Sequence, residues 1–157
     1  MYGWTLLKKI VTGLIKNAVE NTPGGGKVEI IVRDRSGGVE LVVSDTGIGI
    51  IEEDQKLIFE GFYPTQDTNA YCSKRPYDFN AGGKGADLLR MVIFSERYKF
   101  KMGITSSRCR FILSATDICP GSIDNCPNCS NIEECYESGG TTFTVFFSNC
   151  GEKNLVA

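Results

Sequence analysis

Seven cysteines and no histidine are what first limits the chemistry open to this 157-residue sequence. Four of the cysteines crowd together as Cys119, Cys126, Cys129 and Cys135, a C-x6-C-x2-C-x5-C pattern. In Cys126-Pro127-Asn128-Cys129 the two-residue gap lets both thiolates reach one ion. Four thiolates make the closed tetrahedral set of structural zinc. The same ligands suit an iron–sulfur cluster, and disulfides or free thiols are the other alternative. Redox sensing is a further role that the same cluster motivates. Cys109 is near enough to be a spare ligand, while Cys72 and Cys150 read as ordinary thiols. Clustered cysteines in a cytosolic chain point to a metal before disulfides, so Zn²⁺ is the leading expectation. The missing histidine excludes Cys/His fingers, Ser-His-Asp and Cys-His nucleophiles, HExxH zinc sites and a histidine general base.

A second group of residues is glycine-rich. Gly83 and Gly85, around Lys84, precede a helix start, where exposed N–H groups and the positive helix end suit phosphate oxygens. Lys84 would add a point charge. In Asp45-Thr46-Gly47-Ile48-Gly49-Ile50 the glycines allow close approach of the backbone and positive φ.

These groups need positioning elements. Leu6, Leu7, Ile10, Val11, Leu14, Ile15 and Ala18 recur at three- and four-residue steps, which predicts an amphipathic helix ending near Asn21. Thr22-Pro23 and three glycines terminate it. Residues 27–34 and 38–45 are rich in β-branched side chains and read as a β-hairpin. A short helix is predicted over 52–59, a long functional loop over 61–83 and a helix over Ala86–Tyr98. Strands are predicted at 99–106 and 141–148, with the cysteine insertion at 108–140 between them. The order predicts an α+β fold, a two-layer sandwich with a mixed, mainly antiparallel sheet. The length fits a single domain over 1–157.

The net charge of −2 and pI near 5.2 give no basic face for nucleic acid. No apolar run approaches the roughly 18 residues of a membrane span. Met1–Lys16 carries lysines around an apolar stretch but no cleavage site follows, so it reads as a helix and the chain as cytoplasmic.

Three motifs stand in register: Leu14–Pro23 with Asn17, Asp45–Ile50, and Gly82-Gly83-Lys84-Gly85-Ala86-Asp87-Leu88-Leu89. Ile58–Tyr63 lies between the last two. Together they resemble the ATP-binding domain of sensor histidine kinases, in the GHKL superfamily of gyrase, MutL and heat-shock chaperone ATPases. The resemblance spans roughly residues 5–107 and 140–148. It implies that the Asn17 amide oxygen ligates Mg²⁺ and that Asp45 accepts from the adenine amino group. Gly47 and Gly49 would flank the base, Gly83, Lys84, Gly85 and Leu88 would belong to the phosphate-side motif, and Thr141 would help hold the adenine. Glu20 would lie beside the nucleotide. Phe59 and Phe62 would pack beneath a lid formed by 63–81.

Several positions depart from the family pattern. Asp87 stands where a glycine is usual, and Glu20 where kinases often carry Lys or Arg. Gly13 stands where the ATP-hydrolysing branches place their catalytic Glu, so the general base for water is missing and the kinase reading gains. The usual opening strand is absent, which points to a fragment of a longer protein. The implied activity is transfer of the ATP γ-phosphoryl group to a histidine on a partner dimerisation domain, and onward to a response regulator. No catalytic residue is singled out in this chain. The alternatives are a degenerate nucleotide-binding regulatory module and a serine-directed anti-sigma-type kinase.

Overall fold

The structure is a computed structural model that describes residues 2–60, 77–79, 86–114 and 116–149, with the backbone alone at 58–60 and 86–90. It begins with α1 (Trp4–Asn21), whose Leu6, Ile10, Leu14 and Ala18 form a buried stripe at four-residue steps. Thr22 ends the helix. Its backbone is extended, as a residue before proline prefers, and its hydroxyl donates to the Ala18 carbonyl at 2.6 Å. Strands β1 (Val28–Arg35) and β2 (Gly38–Asp45) pair antiparallel around the two-residue turn Ser36-Gly37. Gly37 has a φ of +82°, the conformation such hairpin turns require.

Helices α2 (Glu52–Glu60) and α3 (Ala86–Tyr98) follow, then β3 (Lys101–Ser107), the short α4 (Ile132–Ser138) and β4 (Gly140–Ser148). The sheet order is β1-β2-β4-β3, and all three pairings are antiparallel. The expectation of a mixed sheet is corrected to that extent. Among the described residues the parallel pairing is confined to an isolated bridge, Gly24 with Ser122. β3 and β4 pair antiparallel on either side of the insertion, and among the described residues no helix joins two parallel strands.

One face of the sheet carries the core. Leu41 and Val43 of β2 and Phe143 and Val145 of β4 pack against Ile10, Leu14 and Ala18 of α1 and Met91 and Val92 of α3. Each large apolar side chain fully buried here is worth about 1.5–3 kcal/mol. The period-two alternation has a consequence for the site. Asp45 lies two and four residues beyond Val43 and Leu41, on the same buried face, and Thr141 continues the Phe143–Val145 row. The polar pair therefore sits at the end of the apolar stripe, not on the open face.

Among its described residues the insertion at 108–140 contains a 3₁₀ turn, Ile123–Asn125, and α4. Asn131 caps α4 by accepting from the Glu134 N–H at 2.8 Å, and the Glu134 carboxylate reaches back to the Ser130 N–H at 2.6 Å. Most of the predicted lid, 63–81, lies outside the described residues, as do Phe62, Cys72 and Cys150.

Phe143 is 1% exposed and Val32 68% exposed. Phe143→Ala is expected to cost about 3–5 kcal/mol in urea unfolding, and Val32→Ala no more than about 0.5 kcal/mol.

Candidate functional site

Asp45 ends β2 with its side chain 7% exposed. Its Oδ1 accepts from the Gly47 N–H at 2.8 Å. Its Oδ2 is buried and has no hydrogen-bond partner among the described residues. Buried polar atoms are normally paired, so an orphan of this kind is either costly or waiting for a donor. Burial pushes the carboxyl up to about 6, against the opposing pull of the Gly47 and Thr141 N–H groups.

The loop after Asp45 is held from three sides. The Ile48 N–H donates to the Asn21 carbonyl at 3.2 Å, and the Thr46 N–H to the Lys27 carbonyl at 3.0 Å. A side chain at position 47 would run into the Asn21 carbonyl oxygen, so glycine is required by space. Gly49 has a φ of +76°, and a side chain there would strike the Ser107 carbonyl. The spacing of both glycines is thus fixed by contacts with α1 and β3.

Thr141 faces Asp45 across the β2–β4 register and is buried. Its hydroxyl lies 2.7 Å from the Ser106 Oγ. Ser106 also donates to the Gly140 carbonyl at 3.1 Å and accepts from the Ile50 N–H at 2.9 Å. Gln55 of α2 closes the network, donating to the Ile50 carbonyl at 2.7 Å and the Ser106 carbonyl at 3.2 Å. Sequence reasoning singled out neither Ser106 nor Gln55. A small hydroxyl in a strand and a Gln on an exposed helix carry no spacing signal.

Asn17 is half-buried on the last turns of α1, and its Oδ1 accepts from the Asn21 Nδ2 at 3.2 Å. The same Asn21 amide donates to the Asn17 carbonyl at 2.7 Å. Asn21 is therefore a positioning residue that the sequence reading named only as a helix end. Glu20 is buried, accepts from the Tyr77 N–H at 3.1 Å and lies 3.7 Å from the Lys16 Nζ. Gly82, Gly83, Lys84 and Gly85 lie outside the described residues. Asp87 and Leu88 are placed by backbone alone on the first turn of α3, as the motif predicts for the helix start.

The four clustered cysteines converge. Cys109, Cys119, Cys126, Cys129 and Cys135 line one hollow of about 30 Å³, and all five are free thiols. Among the described residues no group of three or more Cys, Asp or Glu side chains is arranged to hold a metal ion. The ligand set expected of Cys119, Cys126, Cys129 and Cys135 is thus not assembled as one for zinc or an iron–sulfur cluster. Burial, then the neighbouring Cys126 sulfur, pushes the Cys129 thiol up to about 12, and burial also raises Cys119 and Cys135. Burial raises Cys126 too, but N–H groups of Asn128 and Cys129 and the Cys129 thiol outweigh it and leave Cys126 lowered. Cys109, the suggested spare, joins the hollow on equal terms and donates to the Ser138 Oγ at 3.4 Å.

Residues 4–149 match the family described as histidine kinase-, DNA gyrase B- and HSP90-like ATPase. The sensor-like histidine kinase SenX3 of Mycolicibacterium smegmatis is 41% identical over 58 residues, 37% of this chain and 15% of that protein. The adaptive-response sensory kinase SasA of Rippkaea orientalis is 35% identical over 89 residues, 56% of this chain and 21% of SasA. The sensor histidine kinase RppB of Synechocystis is 29% identical over 110 residues, 68% of this chain and 22% of RppB. The alignments thus span only 15–22% of the length of these relatives. Among solved structures, the mycobacterial sensor histidine kinase MprB superposes with a TM-score of 0.51 at 18% identity, covering 90% of this chain and 69% of MprB. The catalytic domain of histidine kinase ThkA gives 0.50 at 18% identity, covering 90% and 66%. At that identity the likeness establishes the fold. Among the described residues no helix is long and apolar enough to cross a membrane.

The Asp45 carboxyl gives a pH signature. It holds its proton to about pH 6 when folded, against 3.8 for the ordinary group. The folded state therefore binds the extra proton between those values. The stability it confers is complete below about pH 4 and is lost as the pH rises through 6, an effect of about 3 kcal/mol. Urea unfolding of the nucleotide-free protein from pH 4 to 7.5 should show this fall, and Asp45→Asn should flatten it.

Proposed function

Because the chain belongs to the histidine kinase-, DNA gyrase B- and HSP90-like ATPase family, we propose that it binds Mg-ATP as the catalytic domain of a sensor histidine kinase. The observation that carries this reading is the buried Oδ2 of Asp45, which has no partner among the described residues. The adenine amino group is the donor that this oxygen lacks, and guanine has a carbonyl at that position. A site built on one such buried contact discriminates strongly between the two bases. Gly47 and Gly49 keep the loop beside it free of side chains, and Thr141 offers a hydroxyl on the neighbouring strand.

The donor set also suits the cation. Mg²⁺ takes hard oxygen ligands and keeps several waters, and Asn17 contributes an amide oxygen from α1 that Asn21 orients. Gly83, Lys84, Gly85 and Leu88 would supply the phosphate side, with Glu20 near the Asn17 turn. The nucleotide supplies a transferable γ-phosphoryl group, and the chain's own part is to bind it, orient it and balance its charge.

Transfer to histidine is preferred over hydrolysis. Gly13, at the position where the hydrolysing branches carry their base, packs against α3. A Cβ there would come 2.9 Å from the Met91 methyl. That close helix packing supports a surface with no acid to activate water. The acceptor histidine belongs to a partner domain of a longer protein, since this chain has none. A response regulator would take the phosphoryl group next. This reading makes 1–157 one domain on the cytoplasmic side, where ATP is supplied, with no nucleic-acid partner.

Calorimetric titration tests it. Mg-ATP should bind and Mg-GTP should bind far more weakly. Asp45→Asn should weaken Mg-ATP by about 10–100-fold, the loss of one hydrogen bond to a charged group. Asn17→Ala should remove the Mg²⁺ dependence. Equal ATP binding by wild type and Asp45→Asn would overturn the site. Addition of a histidine-bearing dimerisation domain should then yield acid-labile phosphate on that domain, and binding without transfer would favour the regulatory-module reading.

A further inference from the structure

Glu20 and the segment Tyr77–Phe79 form a junction that binding of the base does not explain. The Glu20 side chain is 3% exposed and stands one helical turn beyond Asn17 on α1. Its Oε1 accepts the Tyr77 N–H at 3.1 Å, with the Lys16 Nζ 3.7 Å away. A backbone N–H on a carboxylate is a charge-assisted contact, stronger than a neutral one. Tyr77 has a φ of +71°, a conformation that bulky residues rarely adopt and that persists only where the surroundings fix it.

Two residues on, Phe79 is half-buried and lies over Gly121 of the insertion. A Cβ at Gly121 would come 3.0 Å from the Phe79 ring, so the glycine leaves the space that the ring uses. The Gly121 carbonyl accepts the Gly24 N–H at 2.8 Å, and the Ile123 N–H donates to the Gly24 carbonyl at 2.9 Å. Segment 77–79 is therefore held at both ends, by α1 at Tyr77 and by the insertion at Phe79. The insertion is itself fixed to the loop that follows α1.

We propose that Glu20, Phe79 and Gly121 are positioning residues for the phosphate side of the nucleotide site. They set where the chain enters the Gly83-Lys84-Gly85 motif, a role that rests on the Mg-ATP reading. Phe79 stands four residues before Gly83, and four residues of chain reach at most about 14 Å. The far end of the motif is joined directly to Ala86, the first residue of α3. Holding Phe79 thus limits how far the motif can stray from the α1 turn that carries Asn17. Glu20 acts through the Tyr77 backbone and not as a ligand. A carboxylate facing the triphosphate would repel it, whereas here Oε1 is turned to Tyr77 and Lys16. That accounts for an acid at the position where kinases often carry Lys or Arg.

Amide hydrogen exchange of the full chain reads the contact, and titrations with Mg-ATP and with adenosine read its consequence. Glu20→Ala should quicken exchange of the Tyr77 amide about tenfold, the loss of one hydrogen bond to a charged group. It should weaken Mg-ATP by a similar factor and lose far less affinity for adenosine, which has no phosphates. Phe79→Ala, which leaves the α1 sequence untouched, should give the same split between the two ligands. Glu20→Gln keeps an oxygen for the Tyr77 N–H and should recover most of the exchange protection and of the Mg-ATP affinity. An unchanged Tyr77 amide in Glu20→Ala, equal losses of Mg-ATP and adenosine, or a Glu20→Gln as impaired as Glu20→Ala would each overturn the proposal. A wild-type chain that binds neither ligand would instead overturn the nucleotide reading, and this role with it.

Discussion

The site depends on one buried carboxylate. Asp45 is placed by strand parity on the face that elsewhere holds Leu41 and Val43, so it cannot escape to water. One oxygen is satisfied by the Gly47 N–H and the other by nothing among the described residues. A group in that state costs folding free energy, and selection against it is relieved if a ligand supplies the missing donor. The surrounding structure is built to keep it there. Asn21 holds the loop through Ile48, and the Thr141–Ser106–Gln55 network stiffens the floor between β4, β3 and α2.

Much of this was legible in the sequence because it follows short-range rules. The four-residue stripe of α1, the Ser36-Gly37 turn and the β-branched runs of β1 and β2 each specify local geometry, and the structure has them. The motif Asp45-Thr46-Gly47-Ile48-Gly49 carried its own constraint, since both glycines sit where a side chain would meet backbone. What was not legible depends on contacts between distant segments. Ser106 and Gln55 become polar floor only when α2 is laid against β3, and the Asn21 carbonyl takes the Ile48 N–H only when the loop after β2 meets the end of α1. The antiparallel character of every sheet pairing likewise depends on β4 inserting between β2 and β3.

The cysteine insertion shows where spacing alone stops short. A C-x2-C step permits shared metal ligation but does not compel it. Whether sulfurs bind an ion or one another depends on how the chain around them is buried and which N–H groups face them. Here the four thiols line one hollow, and a fifth cysteine outside the pattern, Cys109, joins them. The insertion is also no appendage, because its backbone and Tyr136 are bonded to the loops on both sides of the Asp45 pocket. The insertion is part of what holds the loops beside Asp45.

The most direct test of the central claim is the titration of the Asp45 carboxyl itself, followed by carbon-13 NMR with and without Mg-ATP. Without nucleotide the group should titrate near 6, and saturation with Mg-ATP should move its midpoint clearly lower, because an amino donor on Oδ2 favours the ionised form. An Asp45 that titrates in the ordinary carboxylate range, and does so unchanged when the nucleotide is added, would contradict the account.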